Sequence, residues 1–432
     1  MKFIAAMGKC RHTATKSFLV GFALTIAQIA PLAAADPADK FDAVREFAEV
    51  YEQLKSRYAD ELDDRKLVTS AIKGMLATLD PFSDYLEPQA LDELRQETGG
   101  TFGGLGMEVA LEKGGVKIIS AVEGSPADRA GLQAGDLITR LGDTRVEGLT
   151  LEQAIQQARG APDTTIAITV LSKGDTAPRV VTIKRAIIAA RSVKAATTDD
   201  AYFYLKITHF HRQTAENMLT ALAGAYRQAG DLKGVVLDLR DNPGGVLKSA
   251  VAVSSAFLPQ DSLVVYTDSA SEQSRMRLVT KPISGEGIPE SLRAALQRVP
   301  VVVLVNGSSA SAAEIVAGAL QSHGRATILG SKTFGKGSVQ MVAPLTSGSA
   351  LKLTTAYYHT PDGRRIQGVG VVPDIAVAVQ TAAACAEPAK AEDSATKTAD
   401  PQRAPSSVPP QGDCQFERAL DLLRHQPILA QK

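Results

Sequence analysis

The chain has 432 residues, which is long enough for two or three domains with their own hydrophobic cores. Lysine plus arginine equals aspartate plus glutamate, at 47 each, so no excess of positive charge favours a nucleic-acid partner. The sequence has no tryptophan and only 5% aromatic residues, which argues against a surface that stacks sugars or bases.

The first 35 residues have the pattern of an export signal. Four basic residues and no acidic residue occur there, with an apolar run at 18–30 and a small-residue cleavage site at Ala33–Ala35. We therefore expect a signal peptide at 1–35, cleaved after Ala35, and a periplasmic protein. A membrane anchor that is not cleaved is the alternative, which the short apolar run disfavours.

A helical region is predicted at 36–98. Apolar residues recur at spacings of three and four at 41–58 and at 65–79, where the pattern stops just before Pro81. A third helix is predicted at 88–98, before two glycines. These helices indicate a packing or oligomerisation element, and their pattern suggests no catalytic residue.

Residues 99–190 change to short β-branched runs separated by glycine turns. In the loop of Gly104, Leu105 and Gly106, successive backbone N–H groups could converge on a carboxylate. The strand that follows could take an added peptide strand, and an amphipathic helix at 150–158 could wall the groove. A small β-domain without a ligand is the alternative interpretation.

Strands alternate with helices at 191–380. Three runs are continuously apolar, at 234–239, 299–305 and 327–329. Such runs are typical of buried parallel strands, whose C-terminal ends carry functional sites. The first run leads to an Asn-Pro-Gly-Gly turn at 242–245 and the second to a turn at Ser311, so the two turns can converge. A plain tight turn is the alternative for 242–245.

The C-terminal part has two predicted segments. Residues 381–413 are rich in Ala, Pro, Ser and Thr, which predicts a disordered linker. A helix is predicted at 414–432 and could dock on the body of the protein or on a second subunit. Cys385 and Cys414 could pair in an oxidising compartment or remain two thiols, and they are too few for a metal site.

Ser311 and Lys336 carry the chemistry that the sequence indicates. Ser311 lies at a strand-to-helix turn, where unpaired N–H groups and the helix dipole stabilise negative charge. Lys336 lies 25 residues further on between two glycines, where a buried amine would lose its charge more easily. We interpret the pair as a serine nucleophile with a lysine base. The alternatives are a simple helix cap and a surface loop. No histidine has a convincing partner for a triad, and alternation at 202–211 predicts that His209 and His211 lie on one face of a strand.

The motifs at 309–314 (Ser-Ala-Ser-Ala-Ala-Glu) and 333–340 (Thr-Phe-Gly-Lys-Gly-Ser-Val-Gln) resemble those of the carboxy-terminal processing peptidases. This is a family of Ser-Lys proteases that carry a PDZ domain, which residues 99–190 also resemble. The resemblance implies that Ser311 is the nucleophile, that Lys336 is the general base and that Gln340 orients the lysine.

The same resemblance implies a fold and an oxyanion hole. The expected protein is α+β and multidomain, with N-terminal helices, a β-rich PDZ domain and an α/β protease core like the caseinolytic-protease and crotonase fold. The amide of Gly244 or Gly245 would form the oxyanion hole together with that of Ala312. Asp241 stands where the family often has asparagine, which could tune the charge of the site.

The function that follows is an exported serine endopeptidase that needs no ATP, cofactor or metal. Its PDZ amides at Gly104, Leu105 and Gly106 would bind protein substrates with accessible apolar C-termini. We also expect a homo-oligomer, and the resemblance allows an adaptor protein. A non-catalytic PDZ scaffold and a crotonase-like acyl-transfer enzyme are the alternatives.

Overall fold

The computed structural model describes residues 37–122, 124–172, 174–175, 177–189, 192–198, 200–230, 232–282, 288–377 and 412–425. The predicted signal peptide and residues 381–411 of the predicted linker lie outside the described residues. The chain divides into two compact units, Met1–Val68 and Thr69–Lys432. In the described part of the chain, every helix is too short or too polar to span a lipid bilayer.

The predicted N-terminal helices are present. They are α1 (Pro37–Arg57), α2 (Asp64–Ala77) and α3 (Pro88–Gly99), with the short strand β1 (Asp84–Leu86) before α3. In the first unit, Lys55 closes the turn after α1, because its ammonium donates to the carbonyl of Leu62 at 3.2 Å. Helix α3 has Pro88 in its first turn and ends at Gly100, whose φ of 72° suits a left-handed C-cap.

Residues 101–189 form the β-rich part that the sequence predicts. Its elements are β2 (Thr101–Gly104), β3 (Met107–Glu112), β4 (Gly115–Ala121), α4 (Pro126–Arg129), β5 (Leu137–Leu141), β6 (Thr144–Arg145), α5 (Leu151–Ala158), β7 (Thr165–Leu171), β8 (Arg179–Lys184) and β9 (Ala186–Ala189). The strands β3-β4-β5-β7-β8 make one sheet in this order, and β2 pairs with β9. Strand β3 therefore lies at an edge, where a further strand can add.

The remaining elements form the core and a C-terminal helix. They are β10 (Val193–Thr197), β11 (Tyr202–Ile207), α6 (Thr214–Ala229), β12 (Gly234–Asp238), α7 (Leu247–Ser255), β13 (Leu263–Asp268), β14 (Arg277–Val279), α8 (Glu290–Arg298), β15 (Val301–Val305), α9 (Ala312–Ser322), β16 (Thr327–Gly330), β17 (Ser338–Pro344), β18 (Ala350–His359), β19 (Ile375–Ala376) and α10 (Cys414–His425).

The central sheet has the order β10-β11-β12-β15-β16-β19, and its strands from β11 to β19 are parallel. Every residue of β12 and β15 is buried, as their continuous apolar runs predict. The expectation that His209 and His211 lie on a strand is wrong, because β11 ends at Ile207. Both histidines lie in the loop that follows β11.

A second sheet, with the order β1-β18-β13-β14, was not predicted from the sequence. Strand β17 also pairs with β18, on the side away from β1. The N-terminal strand β1 pairs antiparallel with β18, so that Asp84 lies opposite Lys352. This pairing brings the segment before α3 onto the core, close to residues 331–337, the loop between β16 and β17 that contains Lys336 (the lysine loop).

Helix α10 docks on the core of its own chain. Phe416 is buried and meets the ring of Tyr204 edge-on, with 5.2 Å between the ring centroids. Arg240 forms an ion pair with Asp413 at 2.7 Å and donates to Gln415 at 2.9 Å. The structure therefore favours docking on the body over docking on a second subunit. Cys414 is disulfide-bonded, and its partner lies outside the described residues.

Candidate active site

The two predicted turns lie in contact at the C-terminal edge of the central sheet. The N–H of Ala310 donates to the carbonyl of Asn242 at 2.9 Å. Asp241 and Asn306 exchange two hydrogen bonds, of 3.0 and 2.8 Å. Asp241 is exposed, and its carboxylate joins the two turns at the surface by accepting from Asn306.

Ser311 stands directly before α9, but its backbone is not that of an ordinary helix cap. Its φ and ψ are 53° and −112°, whereas Ser125, which caps α4, has −77° and 166°. A residue other than glycine pays about 1–3 kcal/mol for such a conformation, which persists only where the surroundings enforce it. This geometry favours a nucleophile on a sharp strand-to-helix turn over a simple cap.

Glu314 connects the nucleophile turn with the lysine loop. Its side chain is completely buried, and its carboxylate accepts four hydrogen bonds. One oxygen accepts from the N–H of Ser311 at 2.8 Å and the N–H of Lys336 at 2.9 Å, and the other from Thr333 Oγ1 at 2.6 Å and the N–H of Gly335 at 2.7 Å. Burial raises the pKa of Glu314, while its four donors oppose that effect.

The sequence reasoning assigned no role to Glu314, although it lies inside the serine motif. A signal was available, since a glutamate three residues after a helix-capping serine is the pattern of a capping box. What the pattern could not reveal is the second half of the arrangement, the three donors supplied by Thr333, Gly335 and Lys336.

Lys336 is half-buried, and its side chain lies among groups from three other parts of the chain. Burial lowers the pKa of the ammonium, Lys352 lowers it further and Glu97 acts in the opposite direction. The ammonium lies 5.1 Å from the centroid of the Phe82 ring. No hydrogen bond between described residues joins Lys336 to the hydroxyl of Ser311, so the structure shows the two residues in one site without a formed dyad.

Gln340 lies four residues after Lys336 in the chain, within β17. Its amide donates to Ser338 Oγ at 2.8 Å and to Thr354 Oγ1 at 3.2 Å. Among the described residues, no hydrogen bond joins it to Lys336. The structure therefore does not bring Gln340 into the role that the resemblance implies.

The backbone amides expected at the oxyanion hole differ in their hydrogen bonding. Gly244 donates its N–H to the side-chain oxygen of Asn242 at 2.8 Å. The N–H groups of Gly245 and Ala312 have no acceptor among the described residues. A Cβ added at Gly244 would lie 2.7 Å from the Cβ of Ser311, so the glycine turn and the nucleophile are in contact. The geometry thus favours Gly245 with Ala312 as donors, and Gly244 as the residue that lets the turns approach.

The loop expected to bind a carboxylate has its N–H groups open. The carbonyls of Leu105 and Gly106 accept from Ala127 and Val122, each at 2.8 Å, which fixes the loop on α4 and on the segment before it. The N–H groups of Leu105 and Gly106 have no acceptor in the described part of the chain. Gly104 differs from both, because it is the last residue of β2 and pairs with Ala186.

A cleft of about 810 Å³ lies between α3, β2, the end of α5 and the loop after β11. His209 and Glu97 line it, with His209 Nε2 3.7 Å from Glu97 Oε1. Burial lowers the pKa of His209, Glu97 opposes that effect and His211 adds to it. Among the described residues, no three His, Cys, Asp or Glu side chains are grouped as a metal site requires.

This combination of a PDZ-like groove and a serine turn on a buried parallel sheet defines a PDZ-containing peptidase. The family model of peptidase family S41 matches residues 201–377, that of the PDZ domain 94–171, and that of the activating protease CtpB N-terminal domain 24–90.

Relatives of known name agree with these matches. A carboxy-terminal-processing protease of Bartonella bacilliformis is 41% identical over 333 residues, covering 77% of this chain and 74% of that protein. A carboxyl-terminal-processing protease of Synechocystis is 35% identical over 329 residues, covering 74% of each. The solved structure of a photosystem II D1 C-terminal processing protease is 29% identical, with a TM-score of 0.44, over 78% of this chain and 88% of that one. The chain belongs to the carboxy-terminal processing proteases of peptidase family S41.

Proposed function

We propose that the protein is a serine endopeptidase in which Ser311 is the nucleophile and Lys336 the general base. One observation carries the proposal: a single carboxylate oxygen of Glu314 accepts from the N–H groups of both Ser311 and Lys336. Two loops that are 25 residues apart are thereby held on one atom. An arrangement of this kind is expected where the relative position of two reacting groups matters.

The proposed reaction begins when the Ser311 hydroxyl attacks the scissile carbonyl and its proton passes to the neutral amine of Lys336. The N–H groups of Gly245 and Ala312 stabilise the oxyanion, an effect typically worth about 100- to 1,000-fold per donor. The lysine returns the proton to the leaving amine, and water then cleaves the acyl-enzyme. Because the amine must be neutral, the lowered pKa of Lys336 supports its assignment as the base.

We keep the proposal that Gln340 orients Lys336, which follows from the family resemblance. Its amide is engaged with Ser338 and Thr354, so orientation of the lysine would require that the side chain turn when substrate binds. The role implied by the resemblance therefore applies to the substrate-bound enzyme.

Substrate capture belongs to the PDZ part of the proposal. The open N–H groups of Leu105 and Gly106 would bind the C-terminal carboxylate of the substrate, and the edge strand β3 would pair with its last residues. Unfolded proteins with apolar C-termini are the substrate class that fits this groove. Delivery by an adaptor protein is compatible with the same surface.

Export and self-association complete the proposal. The basic and apolar pattern of residues 1–35 supports export to the periplasm with cleavage after Ala35. Self-association is supported by exposed apolar side chains along α1, which are Phe41, Val44, Phe47, Val50 and Leu54. Sedimentation of the mature chain, with and without Phe47→Glu, tests the second point.

The experiment that tests the reaction is cleavage of an unfolded protein with an apolar C-terminus. Wild type should cleave it, whereas Ser311→Ala and Lys336→Ala should be inert yet folded. The matched controls are Ser308→Ala and Lys332→Ala, which alter exposed residues of the same two loops and should retain activity. Cleavage by Lys336→Ala would show that the base is wrong, and peptide binding by an inert wild type would favour a scaffold.

A further inference from the structure

The ammonium of Lys336 lies over an aromatic ring that the catalytic motifs do not contain. Its nitrogen is 5.1 Å from the centroid of Phe82, which is within the range at which a cation is attracted to a ring face. No hydrogen bond of a described residue reaches this nitrogen. The lysine that should act on Ser311 is therefore held by a residue of the segment before α3.

The position of Phe82 is set by its backbone. One oxygen of Asp80 accepts from the N–H of Phe82 at 2.7 Å and from that of Ser83 at 2.9 Å, and the other accepts from Ser83 Oγ at 2.7 Å. Burial alone would raise the pKa of Asp80, but these donors keep it below its usual range. The carboxylate thus stays charged and holds the turn closed.

The same turn is fixed to the core. The hydroxyl of Ser83 accepts from the N–H of Thr354 at 3.1 Å, and the next residues form β1, which pairs with β18. Since β18 also pairs with β17, which begins two residues after Lys336, the ring and the lysine loop belong to one sheet. The contact is consequently a built feature of the fold.

The ring acts on Lys336 together with two charged groups. Lys352, on β18, disfavours the ammonium, whereas Glu97, on α3, favours it. A ring face also favours the ammonium over the neutral amine, because its quadrupole attracts only the charged form. Phe82 and Glu97 therefore oppose the effect of burial, which lowers the pKa so that the amine can be neutral and accept a proton near neutral pH.

We propose that Phe82 is a positioning residue for the base: its ring holds the protonated Lys336 away from Ser311, so that the amine engages the serine only after it has lost its proton. The inference rests on the proposed role of Lys336 as the base. It assigns a function to the N-terminal region, which would set the resting state of the site.

The test is the pH dependence of the rate at which a fluorophosphonate labels Ser311, which requires no peptide substrate. In Phe82→Leu, which removes the ring face but keeps apolar bulk, the acid limb should move to lower pH by about half to one unit. This is about a three- to tenfold faster reaction on the acid side, as expected for one cation over one ring. Phe82→Tyr keeps the ring and should keep the wild-type midpoint.

A second cation–ring pair supplies the matched control. Arg159 lies over the ring of Phe102 at 5.0 Å, in a pair that does not include the lysine, so Phe102→Leu should leave the midpoint unchanged. If Phe82→Leu proves unfolded by circular dichroism, Phe82→Met removes the ring with an unbranched, flexible side chain that adapts to the same space.

Two results would overturn the inference. An unchanged midpoint in the folded ring-less variants would show that the contact is only packing, and an equal shift in Phe82→Tyr would show that the ring face is irrelevant. Neither result affects the assignment of the base. That assignment fails separately if Lys336→Ala reacts with the probe at the wild-type rate, with Ser311→Ala as the blank.

Discussion

Replacement of Glu314 by glutamine is the most informative perturbation of this site. The carboxylate accepts two hydrogen bonds on each oxygen, and three of the four donors are backbone N–H groups that cannot reverse. A glutamine offers one oxygen and one NH₂ group. The NH₂ group would face the N–H of Gly335 in one orientation and the N–H groups of Ser311 and Lys336 in the other, so at least one donor loses its acceptor. The side chain is completely buried, so water cannot replace the lost partners.

The magnitude follows from these contacts. Hydrogen bonds to a charged group contribute about 1.5–3 kcal/mol each, so losing one or two costs about 1.5–6 kcal/mol. Removing a buried charge returns part of this, and we expect a net loss of about 2–4 kcal/mol in the free energy of unfolding. Because Ser311 and Lys336 share one oxygen, kcat should fall about 100-fold or more through their displacement.

Urea unfolding and cleavage kinetics of Glu314→Gln, measured side by side with a control, provide the assay. The control is Glu290→Gln, the same change in the first turn of α8, where the carboxylate is 87% exposed. It should change stability by less than about 0.5 kcal/mol. If Glu314→Gln matched this control in both stability and kcat, the view that the carboxylate holds the two loops together would be refuted.

Three further outcomes are expected. Gly244→Ala should lower kcat about 100-fold or more, because its Cβ would lie 2.7 Å from that of Ser311. The control is Gly114→Ala, which is also at positive φ but has open space around it and should cleave as wild type does. Gly106→Ala should weaken binding of an apolar C-terminal peptide about tenfold or more by fluorescence anisotropy, because its Cβ would enter the segment before α4, while the Gly114 variant binds normally. Burial lowers the pKa of His209 below its ordinary value of 6.5, so the imidazole takes up a proton more readily in the unfolded chain than in the folded protein. Lowering the pH from 7.5 to 5.5 should therefore lower the urea midpoint of wild type, and should lower that of His209→Asn by less.

Local patterns were sufficient for some elements of this fold. The buried strands β12 and β15 follow from continuous apolar runs, and α5 follows from its amphipathic spacing after Thr150. The end of β11 was misplaced because alternating residues at 208–211 resemble a strand, whereas the chain there turns to bond with Gly244 and Val246. Such a turn depends on a partner distant in sequence, which a local pattern cannot contain.

The sequence by itself therefore determined which residues we propose to bear the chemistry, because the serine, lysine and glycine motifs are each local in sequence. Only the tertiary structure decided how they are held. Glu314 joins two loops, and pairing of β1 with β18 places Phe82 over Lys336. The Gly244 amide is engaged, whereas that of Gly245 has no acceptor among the described residues. These contacts join segments that are distant along the chain, so they arise from packing and leave no periodic signal in the sequence.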